Sequence, residues 1–202
     1  MLADLAQWLV QNILDMGYLG IFLLMMIESS FIPFPSEIVL IPAGYLAQQG
    51  EMNIAVVFLV ALFGSLSGAY INYFGAFIIG RRLLLKFGKY VFIPSSTLDK
   101  MDSFFQKHGP ISTFTGRLIP GIRQLISIPA GLSQMPLLPF TIYTALGAGI
   151  WSLILIMLGY FLGQNIELVE TYLHQITIAV LGALVVLVFV YIRRLKNGNN
   201  QN

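Results

Sequence analysis

Residues 54–79 run for 26 positions without an Asp, Glu, Lys or Arg, and no other feature constrains the fold of this chain as strongly. A helix needs roughly 20 apolar residues to cross the hydrocarbon core of a bilayer, and this run is longer. It ends at a basic cluster, Arg81, Arg82, Lys86 and Lys89. Two further uncharged runs, 140–163 and 176–192, have the same character, and the second ends at Arg193, Arg194 and Lys196. Of the 202 residues, 57% are hydrophobic and 10% charged, against roughly 25% charged in an ordinary soluble domain. A soluble fold has no way to hide that much apolar surface, so an all-α integral membrane protein is expected.

The remaining apolar segments are too short or too broken to span. Residues 16–27 stop at Glu28, and Ser-Ser-Phe-Ile-Pro-Phe-Pro-Ser-Glu follows, with Pro33 and Pro35 two positions apart. The next apolar stretch, 38–47, contains Pro42. Proline interrupts a regular helix, so the expected shape is half-helix, break, half-helix: a re-entrant hairpin. Residues 111–135 repeat the theme, with interruptions at Gly116-Arg117, Pro120-Gly121, Arg123 and Pro129.

Ile41-Pro42-Ala43-Gly44 recurs as Ile128-Pro129-Ala130-Gly131, each time closing a broken segment that carries two charges and preceding a full span. The expected architecture is therefore an inverted repeat of re-entrant hairpin plus transmembrane helix, about 16–79 and about 110–163. One additional C-terminal transmembrane helix, 176–192, follows. Together they form one membrane domain, 1–193, with a cytoplasmic tail, 194–202. Basic residues concentrate on the cytoplasmic side, so both basic clusters and the C-terminus are placed there. The connector 164–175, with Glu167 and Glu170, is then external, and the two units are oppositely oriented. Inverted repeats with broken helices are a transporter architecture. Within 54–79, Gly64 and Gly68 have the spacing of close helix packing. Residues 3–14 read as a short interfacial helix with Trp8 at the headgroups, and 95–108 as a surface helix. Asp4 and Asp15 with no Lys or Arg beside them argue against a cleavable signal.

Four charges lie inside the broken segments: Glu28 and Glu37 in the first, Arg117 and Arg123 in the second. On insertion scales each costs roughly 2.5–3.5 kcal/mol at the bilayer centre, so they must face one another, water or a ligand. Irregular backbone at that depth is tolerated only when buried in protein or lining a cavity. Both constraints point to one polar cavity between the hairpins. A guanidinium presents a fork suited to phosphate, and two Arg near half-helix N-termini make an anion site. A carboxyl withdrawn from water binds its proton more firmly, which makes Glu28 and Glu37 candidates for proton exchange. The competing account is that the four charges are ion pairs holding the hairpins together, and the pairing of each Glu with each Arg is open. Tyr70, Asn72 and Tyr73 either line the cavity or make packing hydrogen bonds.

Neither His108 nor His174 lies near the arginines in sequence, so the nucleophilic His of the usual lipid phosphatases is missing and no enzyme is expected. With no Cys and two distant His, no metal and no cofactor are expected, nor is a nucleic-acid partner. Oligomerisation is left open.

Glu28-Ser-Ser-Phe-Ile-Pro-Phe-Pro-Ser-Glu37 resembles the acidic motif of the bacterial DedA membrane proteins. Phe114-Thr-Gly-Arg117-Leu-Ile-Pro120-Gly-Ile-Arg123, running on to Pro129-Ala-Gly131, resembles their basic motif. The likeness covers about residues 10–192. It implies two oppositely facing re-entrant hairpins in the bacterial cytoplasmic (inner) membrane, and phenotypes linked to pH and membrane potential. It also implies a role for some members in recycling polyprenyl phosphate. By position, Glu28 and Glu37 match the acidic pair linked to proton coupling, and Arg117 and Arg123 the basic pair required for function. The expected activity is proton-coupled flipping of undecaprenyl phosphate or a related anionic lipid. The alternatives are a non-coupled phospholipid scramblase and a small-ion or proton antiporter.

Overall fold

Asn53 starts the first of the long helices: its side-chain oxygen accepts hydrogen bonds from the Ala55 and Val56 amides, at 3.0 and 3.3 Å, which satisfies donors that a helix start leaves open. The computed structural model describes residues 15–30, 35–80, 95–162 and 166–199. In chain order the helices are α1 (Tyr18–Glu28), α2 (Glu37–Gln48), α3 (Ile54–Gly75, continued by a π-helical turn, Ala76–Gly80), α4 (Ser95–Leu118), α5 (Ser127–Leu132), α6 (Leu137–Leu162) and α7 (Ile166–Asn199). Among the described residues all regular structure is helical. Three stretches among the described residues are long and apolar enough to cross a membrane: Ile54–Ile78, Leu137–Leu162 and Thr171–Tyr191. The interfacial helix expected over 3–14, the basic cluster 81–89 and Pro33 lie outside the described residues.

Glycine sets how closely the helices approach. α1 lies along α3, where a Cβ on Gly64 would come within 2.5 Å of the Phe22 carbonyl oxygen and one on Gly68 would overlap that of Met26. The Gly64/Gly68 pair therefore serves as the packing stripe its spacing suggests. α4 lies along α6 in the same manner, with Gly147 against the Arg117 Cβ, 2.5 Å from where its own Cβ would stand. The two Ile-Pro-Ala-Gly segments then cross over. Gly44 of α2 presses on the Ile156 carbonyl of α6, while Gly159 of α6 presses on that of Ile41. Gly131 of α5 presses on the Tyr73 carbonyl of α3. Each short second helix thus packs on the long helix of the other half of the chain.

The main core joins α1, α2, α3 and α6 through Ile21, Leu24, Val39, Leu40, Val57, Leu155 and Ile156. A second, smaller cluster gathers Ala69, Tyr73, Phe105, Ala130, Met135 and Phe140. α7 packs chiefly on α6 and α4, and only 6% of its apolar window is buried, as suits a helix facing lipid on most sides.

Several expected breaks are not breaks. Pro42 sits inside α2. A proline within a helix costs about 3 kcal/mol or more, and here the complete burial of Val39, Leu40 and Ala43 offsets it. Pro129 is the third residue of α5, in the first turn, where an amide has no intrahelical partner to lose. Nor does Gly116-Arg117 interrupt anything: α4 runs unbroken through Pro110 and Gly116 to Leu118, which merges the expected surface helix with the first half of the second broken segment. The chain does turn at Pro120-Gly121, where Gly121 adopts φ 80°, a left-handed value that glycine tolerates without strain. Pro35 lies just ahead of α2, where it costs no helical bond. α7 begins at Ile166, so Glu167 and Glu170 belong to a helix rather than to a long connector. It also continues to Asn199, through most of the expected tail, because extending a formed helix is far easier than starting one.

Candidate functional site

The fold brings together all four charges singled out in the sequence. Glu28 is the last residue of α1 and Glu37 the first of α2. Arg117 stands in the last turn of α4 and Arg123 in the turn before α5. This corrects the expected placement near a helix N-terminus for Arg117, whereas Arg123 does lie shortly before the start of α5. Arg117 is at a carbonyl-rich C-terminal end, which favours a cation, and it is Glu37 that occupies an amide-rich start, which favours an anion.

Arg123 is the hub. Its Nε lies 3.2 Å from Glu28 Oε1, an ion pair without hydrogen-bond geometry, since that nitrogen has no acceptor in line. Its Nη2 donates to Glu37 Oε1 at 3.2 Å and to Ser36 Oγ at 2.9 Å. Ser29 Oγ donates to the other Glu28 oxygen at 3.0 Å. Arg117 meets neither carboxylate: its Nη2 donates to Ser127 Oγ at 2.7 Å, within its own half of the chain. Glu28, Arg117 and Arg123 are 4%, 3% and 7% exposed, so these charges have little access to bulk water. The pairing that the sequence left open is therefore unequal, with both acids converging on Arg123.

These residues surround a small cavity of about 10 Å³, lined by Glu28, Ser36, Arg117, Arg123, Trp151 and Ser152 among others, room for roughly one water molecule. Its walls are rich in donors. Arg117 Nε, Arg123 Nη1 and Trp151 Nε1 are buried without a hydrogen-bond acceptor among the described residues. Trp151, on α6, also lays its ring against the Arg123 guanidinium, 5.1 Å from Cζ to the ring centroid. On a neighbouring face of α6, Leu146, Gly149 and Ile150 join Phe58 and Leu62 of α3 to line an open apolar groove of about 480 Å³.

Asn72 lies next to the site and bridges its two halves. From α3 its Nδ2 donates to the Ser29 carbonyl, at 3.3 Å, and to the Gln124 carbonyl, at 3.1 Å. Tyr73 donates to the Met135 carbonyl and Tyr70 bonds Thr141 at 2.7 Å, so these three make packing hydrogen bonds. His108 Nδ1 lies 2.9 Å from Tyr191 Oη on α7, apart from the charged cluster. No group of three His, Cys, Asp or Glu able to hold a metal occurs among the described residues.

Sequence reasoning identified the four charges but missed their partners. Ser29 and Ser36 were signalled by adjacency to the two glutamates, and Ser127 by its place before the second Ile-Pro-Ala-Gly. Trp151 had no signal, being one aromatic residue in an uncharged span.

The VTT domain family matches residues 34–161. YkoX of Bacillus subtilis (strain 168), an uncharacterised membrane protein, is 39% identical over 178 residues, 88% of this chain and 79% of that one. An alkaline phosphatase-like protein of Lactococcus lactis subsp. cremoris (strain MG1363) is 35% identical, covering 89% of this chain and 87% of its own. Undecaprenyl phosphate transporter A of Bacillus subtilis (strain 168) is 34% identical over 192 residues, 95% of this chain and 92% of that protein. No solved structure matches. The family match, the membrane-length helices and the buried Glu–Arg cluster lead to one conclusion: this chain belongs to the VTT-domain family of membrane proteins, the DedA family.

Proposed function

We propose that this protein flips undecaprenyl phosphate, or a closely related anionic lipid, across the bacterial cytoplasmic membrane, and that protons drive the step. One observation carries the reading: two buried arginines line one cavity, and Arg117 Nε and Arg123 Nη1 have no acceptor among the described residues. Buried donors without acceptors are rare and costly. Arginine has only donors to offer, so the missing partner is an acceptor, and a phosphate oxygen suits the fork geometry.

Charge balance brings in the protons. Two glutamates and two arginines give the cluster a formal charge of zero. A phosphate monoester adds about −1.5 to −2 at neutral pH, a large excess at low dielectric. Two carboxyls are enough to offset it if each takes a proton as the phosphate displaces it from Arg123. In the lipid-free state Glu28 and Glu37 hold Arg123; in the loaded state the phosphate holds it and the acids are neutral. The lipid's chain remains in the bilayer, along the apolar groove beside Gly149.

The reciprocal packing supports an architecture of two oppositely facing units, about 16–79 and 110–163, each a re-entrant hairpin with its long helix. α2 and α5 each seat their Ile-Pro-Ala-Gly glycine on the other unit's span. The helix over 176–192 completes a single membrane domain whose C-terminal residues are cytoplasmic. The name of one relative, a transporter of undecaprenyl phosphate, supports transport. The phosphatase-like name of another finds no nucleophilic histidine in this cluster, because His108 faces Tyr191.

The test is movement of labelled undecaprenyl phosphate in proteoliposomes with and without a pH gradient, for the parent, Glu28→Gln and Arg117→Ala. Gradient-driven transport lost in both folded variants is expected. Absence of transport in the parent would remove the substrate assignment. Transport indifferent to the gradient and to both changes would favour a scramblase with structural ion pairs.

A further inference from the structure

Trp151 is the residue at the cavity that neither the charge pattern nor the ion pairs explain. It is 4% exposed, it lines the cavity, Arg123 Cζ stands over its ring, 5.1 Å from the centroid, and its indole N–H is buried without an acceptor among the described residues. A buried tryptophan normally finds a partner for that N–H. The apolar core of this protein offers many residues that would fill the volume with no donor to satisfy.

We propose that Trp151 is a third oxyanion donor of the site and the plate that orients Arg123, so that it helps select a phosphate headgroup. This rests on the lipid-phosphate reading above and adds a residue and a selection mechanism to it. Three residues that line one cavity each carry a buried donor with no hydrogen-bond acceptor among the described residues: Arg117 Nε, Arg123 Nη1 and Trp151 Nε1. An indole N–H only donates, so this position accepts a phosphate oxygen and gives nothing to a cation. The indole adds a donor without adding charge and keeps it at every pH at which the glutamates change state. Arg123 is fixed on one side by Ser36 and Glu37, with Glu28 beside its Nε. When a phosphate displaces the acids, the carboxylate restraints go, and the Trp151 ring, with Ser36, still holds the guanidinium plane, by cation–π attraction that strengthens where water is excluded.

The chain contains two tryptophans, Trp8 and Trp151, so Trp8→Phe leaves Trp151 as the sole indole fluorophore. In lipid nanodiscs, the Trp8→Phe protein is titrated with undecaprenyl phosphate, with undecaprenol and with inorganic phosphate, while binding of radiolabelled undecaprenyl phosphate is measured separately. The expected result is a saturable change in Trp151 emission with undecaprenyl phosphate and none with undecaprenol. The same change with inorganic phosphate would keep the donor role and assign the site to the phosphate group without its chain. Labelled lipid that binds while Trp151 emission stays constant with every phosphate would overturn the proposal and leave the transport reading standing. No binding of any phosphate by the parent would remove both. Two variants separate donor from plate. Trp151→Phe, which keeps a ring and loses the N–H, is expected to weaken undecaprenyl phosphate binding by about tenfold or more, with undecaprenol unaffected. Trp151→Leu, which loses both, should weaken it further. Unchanged affinity in Trp151→Phe would overturn the donor role, and equal affinities of the two variants would overturn the plate role.

Discussion

The two halves of this protein handle buried charge differently. In the first, Glu28 closes α1 and Glu37 opens α2, so the acids flank the break. In the second, Arg117 ends α4 while Arg123 sits within the turn that follows. Both acids reach Arg123, and Arg117 has Ser127 of its own half. A cluster that is neutral by count is therefore uneven in space. Arg123 latches one half to the other, whereas Arg117 is a buried cation with no carboxylate in contact among the described residues. On the proposed reading, the acids stand in for an anion at Arg123 and leave Arg117 ready for one.

The largest expected effect tests that inequality. Arg123→Ala strands Glu28, 4% exposed, with Ser29 as its remaining hydrogen-bond partner among the described residues. Removing one member of a buried pair costs about 3–5 kcal/mol. Arg117→Ala removes one charged hydrogen bond, about 1.5–3 kcal/mol, while abolishing phosphate-lipid binding. Heat- or SDS-induced unfolding in nanodiscs, paired with a lipid-binding assay, checks both. Equal destabilisation by the two changes would break the comparison. Replacing the whole latch, with Arg123→Met, Glu28→Leu and Glu37→Leu together, should recover stability because apolar replacements of buried ion pairs are often neutral or better. Transport should stay lost.

The next effect concerns the crossed seams. Gly44→Ala and Gly131→Ala each drive a Cβ into a carbonyl oxygen of the opposite long helix, and such overpacking typically costs 1–3 kcal/mol. α2 has 12 residues and α5 has 6, so the shorter helix has less packing to hold it and shifts more readily. Gly44→Ala should be the worse of the two. Gly75→Ala is the control: nothing lies within 4 Å of its Cβ position, and replacing an interior helical glycine should stabilise by about 0.5–1 kcal/mol. Melting temperatures that fail to rank in this order would mean that the seams are looser than their glycines imply.

What the sequence made legible was set by lipid. Two of the three long apolar helices, α3 and α6, lie within a few residues of their expected bounds, because an uncharged run of that length has one stable solution in a bilayer, whereas α7 overruns 176–192 at both ends. The four charges were legible for the same reason, each being too costly at depth to be incidental. Proline was over-read. Pro42 and Pro129 were expected to break helices, yet one is absorbed in mid-helix and the other sits in a first turn, and no local rule reveals which prolines tertiary burial will tolerate. Pairing was out of reach, since whether Glu28 meets Arg117 or Arg123 depends on how α1 and α5 are carried by other helices. Trp151 was invisible because its role needs the cavity to exist first.

The smallest expected effect falls on Asn72, which joins the halves without carrying charge. It donates to Ser29, beside Glu28, and to Gln124, beside Arg123, so one amide on the rigid α3 fixes the spacing between an acid's break and a base's turn. Asn72→Ala removes both bonds at once. Each accepting carbonyl has a second lone pair, so the expected loss is only about 1 kcal/mol, well below that of Arg123→Ala. Dynamics should reveal more than stability does. Local opening is governed by the contacts of the segment that opens, so amide exchange should quicken at residues 29–30 and 119–126 and stay unchanged along α3. If the two breaks loosen together, Asn72 couples the acidic and basic halves. If only the Ser29 side quickens, the basic turn is held by its own Pro120-Gly121 geometry, and the latch between the halves is Arg123 alone.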